Sequence, residues 1–283
     1  MIALNRFCLN RKAAPAVPLD QTIPLVAKLG LKNIEVRNDL YGAPDNQTIL
    51  DHLPDTQVES LLTAHDVNVE TINAIGNMDN PVMLDANLAS LAEMLTMTKA
   101  IDLKKIIFCP VRSNEDHRSA DQRRTDAVSN VRAYSKLLKQ YGVTGLIEPL
   151  GFTDSTLRTP WEGQAVIKEA GVDNFKLVAD TFHYYLANVT AEQFQQKVDV
   201  DAIGLVHLSA VLADKPREVL DDQDRYMLDE ADIMHSAEWA NQIEAAGYQG
   251  LYAFEPFSDD LKQWDAAQVE TELMKSIQLV QHA

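Results

Sequence analysis

Four short apolar runs in the second half of the chain each end in one ionisable side chain. They read Gly145-Leu146-Ile147-Glu148-Pro149, Lys176-Leu177-Val178-Ala179-Asp180, Gly204-Leu205-Val206-His207 and Tyr252-Ala253-Phe254-Glu255-Pro256. Any one of these residues, taken alone, reads as a strand end meeting solvent. Four at matched positions in successive strands point instead to a shared site. Three carboxylates brought together do not all stay ionised without a compensating cation. A divalent metal supplies that charge, and an O, O, N, O donor set suits Mn²⁺, Mg²⁺, Co²⁺ or Zn²⁺ without any thiolate. Glu148, Asp180, His207 and Glu255 are therefore the expected ligands of one divalent ion. His183 stands three residues beyond Asp180, on the same expected rim. It reads equally as a packed histidine and as a hydrogen-bonding group beside the metal. Arg225 is the single base among seven acids in 218–232. It either neutralises a solvated acidic face or reaches inward to a ligand oxygen with its forked donors. As a loop residue it is expected to contribute little to the core.

The elements that must position these groups follow one pattern throughout. Short β-rich runs at 2–9, 33–37, 67–75, 105–111, 144–149, 175–181, 203–209 and 250–256 alternate with longer stretches of helical period. Helices are expected over 86–100, 120–141, 235–246 and 266–281. In the second of these, Val128, Val131, Tyr134, Leu137, Leu138 and Tyr141 form an apolar stripe. Gly30, Gly142 and Gly247 each follow a helical stretch, where the left-handed C-terminal position favours glycine. The connection 211–233 is long, acidic and without helical period, as functional loops often are. Eight such units predict a single (β/α)8 barrel over residues 1–283, with its active site where the strand C-termini converge. A doubly wound sheet is the alternative, but no Gly-rich phosphate fingerprint follows the first strand. Glu35 and Arg37 alternate in the second strand and so point the same way. Asn10 and Asn73 read equally as lining groups and as ordinary strand residues.

With 25 Lys+Arg against 42 Asp+Glu, the chain of 283 residues carries a formal charge of −17. That balance repels phosphate backbones and anionic lipid, so neither nucleic acid nor membrane is an expected partner. Cys8 and Cys109 have neither disulfide-framework nor metal-finger spacing and read as buried thiols in a reducing compartment. The N-terminus lacks the pattern of a signal peptide, and no apolar run approaches the ~18 residues of a membrane span. A soluble cytoplasmic protein is expected. Whether it is a monomer or a homo-oligomer is not set by the sequence.

Over nearly its whole length the chain resembles the xylose-isomerase-like barrel superfamily of sugar isomerases, epimerases and apurinic-site endonucleases, and within it the inosose (2-keto-myo-inositol) isomerases. The resemblance is carried by Cys8-Leu9-Asn10, Asn33-Ile34-Glu35-Val36-Arg37, Thr71-Ile72-Asn73-Ala74-Ile75, Leu146-Ile147-Glu148-Pro149, Val178-Ala179-Asp180-Thr181-Phe182-His183, Val206-His207-Leu208-Ser209, Asp222-Gln223-Asp224-Arg225 and Phe254-Glu255-Pro256-Phe257. It implies Glu148, Asp180, His207 and Glu255 as metal ligands, and His183 and Arg225 as substrate contacts. It also implies Glu148 and Glu255 as the pair that moves a proton between neighbouring carbons of a small ketose or inosose. Where relatives follow the loop arginine with a Pro-Gly segment, this chain has Tyr226-Met227-Leu228, which leaves the substrate open. Ketose 3-epimerase, hydroxypyruvate isomerase and inosose dehydratase activities remain alternatives. An endonuclease is disfavoured, because the extra His ligands and the Asp-x-His pair of such relatives are missing.

Overall fold

In a computed structural model of the chain, which describes residues 1–212 and 215–283, eight parallel strands pair in sequence order and close on themselves. They are β1 (Phe7–Asn10), β2 (Asn33–Arg37), β3 (Asn68–Ile75), β4 (Lys105–Phe108), β5 (Thr144–Ile147), β6 (Phe175–Asp180), β7 (Ile203–Leu208) and β8 (Tyr252–Phe254). Between them run α1 (Leu19–Lys28), α2 (Asp55–His65), α3 (Leu84–Met97), α4 (Ala120–Lys139), α5 (Pro160–Ala170), the short α6 (Thr181–Leu186) and α7 (Ala191–Lys197), and α8 (Ser236–Ala245). The last helix, α9 (Ala266–His282), follows β8. This is the expected (β/α)8 barrel. Among the described residues no helix is long and apolar enough to cross a membrane.

Gly30, Gly142 and Gly247 take positive φ of 74°, 68° and 107°, as expected of helix stops. α5 is fixed at its start by Pro160 and by a reciprocal Thr159–Glu162 capping box, which satisfies otherwise orphaned N–H groups. Two readings need correction. The first strand does not begin at residue 2: Leu4–Arg6 forms a single 3₁₀ turn, and β1 starts at Phe7. Arg6 causes the corner, since its guanidinium bonds the carbonyls of Tyr248 and Gly250 and the carboxylate of Glu244. In α4 the stripe Val128, Val131, Tyr134 and Leu138 is buried, but Tyr141 lies past the helix end and is 45% exposed.

Strand alternation sorts side chains into two cores. Outward-facing residues such as Ile147, Ala179, Val206 and Phe254 pack against the helices in the large core. Cys8, Ile107, Leu146, Val178, Leu205 and Ala253 point inward and fill the barrel interior as a separate layer. Two positions further along, the inward residues are Asn10, Cys109, Glu148, Asp180, His207 and Glu255. A dry apolar floor thus lies directly beneath a polar layer. Leu146→Ala should leave a cavity in this floor and cost about 2–5 kcal/mol of stability, seen as a lower denaturant midpoint. A midpoint within experimental error of the parent would mean that the layer is not close-packed.

Candidate active site

Each of the four strand-end residues is held by ladder bonds of its own strand. Asp180 closes β6 and lies beside His207 of β7 in register. Glu148 and Glu255 stand one residue past β5 and β8. Their N–H groups still donate to the carbonyls of Phe108 (3.0 Å) and Leu208 (2.8 Å). All four are buried, and one ligand atom from each lies within 4.8 Å of the others. The convergence expected from the sequence is therefore present.

The hydrogen bonds decide which atoms face inward. Asp180 Oδ1 caps α6, accepting from the N–H groups of Phe182 (2.7 Å) and His183 (3.3 Å). Glu255 Oε1 accepts from Asn73 (2.8 Å) and from Arg37. Cys109 Sγ stands 3.7 Å from Glu148 Oε2. That leaves Asp180 Oδ2, Glu255 Oε2 and Glu148 Oε1 around His207 Nδ1, at 3.9, 3.2 and 2.9 Å. The other imidazole nitrogen, Nε2, lies 3.1 Å from Glu35 Oε2. Glu35 in turn accepts from Asn10 (2.6 Å) and Asn73 (3.1 Å). An imidazole anchored through one nitrogen presents the other to a metal in a fixed orientation. Three convergent carboxylate oxygens, two of which also accept from Arg225, and one aimed nitrogen fit a divalent ion of the Mn²⁺, Mg²⁺, Co²⁺ or Zn²⁺ type.

Arg225 resolves its two readings in favour of the interior. Its side chain is 1% exposed, and Nη2 donates to Asp180 Oδ2 and Glu255 Oε2, both at 2.7 Å. The rings of Phe182 and Phe257 flank the guanidinium at 4.8 and 4.6 Å. The expectation that a loop arginine contributes little to the core is thereby overturned. The loop acids have partners elsewhere: Asp224 pairs with Lys215, Asp229 with Lys275, and Asp232 bonds backbone N–H groups of Val211 and Ser236. The region 211–233 otherwise has the expected long-loop character, with short 3₁₀ turns and one bridge to Ala210. Residues 213 and 214 of it lie outside the described residues.

His183 is buried on the pocket wall, with Nδ1 lacking any hydrogen-bond partner among the described residues. Burial, then the neighbouring Arg225 charge, pushes it down to about 3, so it is a neutral imidazole. Cys109 corrects the reading of both thiols as core: Cys8 is fully buried, whereas Cys109 lines the pocket. Its thiol is raised by burial and then by Glu148, and so stays protonated. Glu35 and Arg37 belong to the site although each strand alone gave them little weight. Arg37 bonds Glu255 and Asp39, and both it and Glu35 are buried. Their signal was the alternation that makes them neighbours on one strand face.

The two glutamates differ in environment. Burial, then the charge of Glu255, pushes Glu148 up to about 7. Burial would raise Glu255 as well, but His207, Arg225 and Arg37 outweigh it and hold that carboxyl well below its usual range. Burial opposes the charged form of His207, yet Glu255, Glu35 and Glu148 outweigh it and raise the imidazole. A divalent ion must therefore displace protons from His207 and Glu148. Its affinity should rise with pH, about tenfold or more per unit between pH 6 and 7. Calorimetry in buffers of different ionisation enthalpy reads the proton release directly, and zero release would exclude these two ligands. Arg225→Lys, which loses the Nε bond to Ser209 and the planar stacking between Phe182 and Phe257, should cost about 1–3 kcal/mol of stability in the metal-free protein. An unchanged unfolding midpoint would show that these contacts do not stabilise the fold.

The site opens into a cavity of about 220 Å³ lined by Arg37, Asn73, Glu148, His183, Arg225 and Glu255 among others. Comparison with known proteins places this geometry in a lineage. A xylose isomerase domain protein of Salmonella typhimurium is 33% identical, with a TM-score of 0.91 over 99% of both chains. A crystal structure described as IolI protein with a bound zinc atom is 20% identical, with a TM-score of 0.85 over 98% of both chains, and shows the same fold. An inosose isomerase of Halalkalibacterium halodurans is 24% identical over 173 residues, which span 61% of this chain and 60% of that protein. The family model described as xylose isomerase-like TIM barrel matches residues 23–279, and the chain belongs to that family.

Proposed function

We propose that this protein is a divalent-metal-dependent isomerase of a small polyol ketone of the inosose type, working by enediol proton transfer. The observation that carries the reading is the convergence of three carboxylate oxygens around His207 Nδ1, all four groups being buried. Glu148, Asp180, His207 and Glu255 would hold the ion. When bound, the ion supplies a Lewis acid that stabilises negative charge developing on neighbouring substrate oxygens.

The chain's own groups handle the protons. Glu148 and Glu255 come from strands three steps apart around the closed barrel. One carboxylate takes the proton from the carbon next to the carbonyl, giving an enediolate; the hydroxyl proton passes to the former carbonyl oxygen, and the other carboxyl, having drawn a proton from solvent, gives it to the neighbouring carbon. Their hydrogen bonds fit a division of labour: Glu255 is clamped by Arg37, Asn73 and Arg225, while among the described residues Glu148 meets only His207 and Cys109. His183, neutral and with Nδ1 unpartnered among the described residues, offers one hydrogen bond to a substrate hydroxyl. Arg225 Nη1, whose nearest acceptor is Asp222 at 3.5 Å, offers another. The hydroxyl-bearing ketone end of a polyol suits such a wall of donors and acceptors. The similarity to an inosose isomerase supports the ring-ketone class. Ketose epimerisation, hydroxypyruvate isomerisation and inosose dehydration begin with the same proton abstraction, so the product separates them. The endonuclease reading has no support here, since the inward positions of β3 and β4 offer Asn73 and Cys109 rather than histidines.

Solvent exchange at the α-carbon, followed by NMR across a panel of inososes and ketoses, tests the reading. With saturating metal, Glu148→Gln and Glu255→Gln should each cut exchange by roughly 10²–10⁴. Near-parental exchange in metal-loaded Glu148→Gln would make that residue structural only.

A further inference from the structure

A second cavity, of about 460 Å³, adjoins the catalytic one and shares Arg112 and Phe152 with it. The segments following β4, β5, β6 and β7 build it. Arg112 follows β4, Arg158 precedes α5, and Arg217 lies in the long loop after β7. Among the described residues the acids lining it are Asp154 and Glu218, and Asp222, just outside the lining, lies 3.6 Å from Arg112 Nη1. Two of the three guanidiniums, those of Arg158 and Arg217, have no carboxylate partner among the described residues, in a chain whose formal charge is −17. An anion approaching this acidic protein is repelled almost everywhere else, and a local cationic cleft reverses that field.

Arg112 is paired with Asp154 and Asp222, whereas Arg158 and Arg217 are braced by neutral groups. Arg112 lies 3.4 Å above the Phe152 ring, with Nε 3.2 Å from Asp154. Arg158 directs Nε and Nη2 to one acceptor, the carbonyl of Gly151. Arg217 stacks on Tyr185 at 4.3 Å and gives Nη1 to the neutral Asn188. Among the described residues, Arg217 Nε is enclosed without a partner, and Arg158 Nη1 makes no hydrogen bond to protein. Arginines fixed by stacking and backbone contacts, with donors left over, are suited to forked recognition of phosphate or carboxylate oxygens.

We infer that this compartment is an anion subsite, which takes a phosphate or carboxylate group carried by the substrate while its ketone end lies in the catalytic pocket. The inference rests on the proposed reading of that pocket as a polyol-ketone site, and it narrows the substrate class to anionic members. It involves no chemistry at the subsite itself, only binding and orientation.

The experiment has two arms. In the first, inorganic phosphate and acetate are titrated into the full-length protein. Phosphate, acetate or both should bind, with affinity falling as NaCl is added and at least fivefold weaker in Arg158→Gln and in Arg217→Gln. Equal binding of both probes in parent and variants, or binding of neither, overturns the subsite. Binding of phosphate alone or acetate alone identifies the group. In the second arm, α-proton exchange is compared between a neutral ketose or inosose and its phosphorylated or carboxylated counterpart. The anionic compound should be preferred, and the preference should drop at least tenfold in Arg217→Gln. Exchange of neutral compounds with no arginine-dependent preference overturns the subsite and leaves the isomerase reading standing. Arginine-dependent anion binding without exchange of any compound overturns the isomerase reading and, with it, the assignment of the anion as part of that substrate.

Discussion

His207 is the hub on which the site depends. It lies in a fully buried position with Glu35 on one ring nitrogen and Glu148, Asp180 and Glu255 around the other. Burying four carboxylates in one barrel mouth is expensive unless each is paired and hydrogen-bonded. The chain meets that demand from several directions. Asn10 and Asn73 donate to Glu35, Arg37 and Arg225 pair with Glu255, and the first-turn N–H groups of α6 donate to Asp180. Removing one partner would leave a buried charge exposed to low dielectric. The network therefore behaves as one unit and not as a set of independent contacts.

The apolar layer below gives that network its rigidity. Leu146, Val178, Leu205 and Ala253 point into the barrel two residues before Glu148, Asp180, His207 and Glu255. Each polar group is thus carried on a strand whose preceding inward side chain is locked in close packing. Water is kept from reaching the carboxylates from beneath, which strengthens the electrostatic interactions above. A site built on strand ends and not on free loops is held to the tolerance that proton transfer between fixed carbons needs.

The loop after β7 shows how tertiary contacts redistribute charge. By composition it is an acidic stretch with Arg225 as its sole base in 218–232. In the fold, Lys215 and Lys275 take Asp224 and Asp229, and Asp232 turns to backbone N–H groups. Arg225 is then free of its sequence neighbours apart from a long contact with Asp222. Its carbonyl accepts from Phe257 and Ser258, at 2.9 Å each, which ties the loop to the chain beyond β8 and seats the guanidinium between two rings.

The amino-acid sequence by itself determined the barrel and the four converging strand ends, because both rest on local periodicity. Alternation within a strand is a property of consecutive residues. It placed Glu148, Asp180, His207 and Glu255 on one rim, and it put Glu35 and Arg37 on a common face. Strand ends were legible only to within a few residues, as at β1, where long-range bonds from Arg6 to the Tyr248–Gly250 turn make the corner. Tertiary structure alone decided which carboxylate oxygens face inward, that Glu35 orients His207, that Arg225 leaves its acidic neighbours, and that Cys109 lines the pocket. These are contacts between residues far apart in the chain, such as Arg37 with Glu255 across 218 positions. No local pattern encodes a partner that distant. It is fixed only when the eighth strand closes against the first and brings both ends of the chain to one mouth.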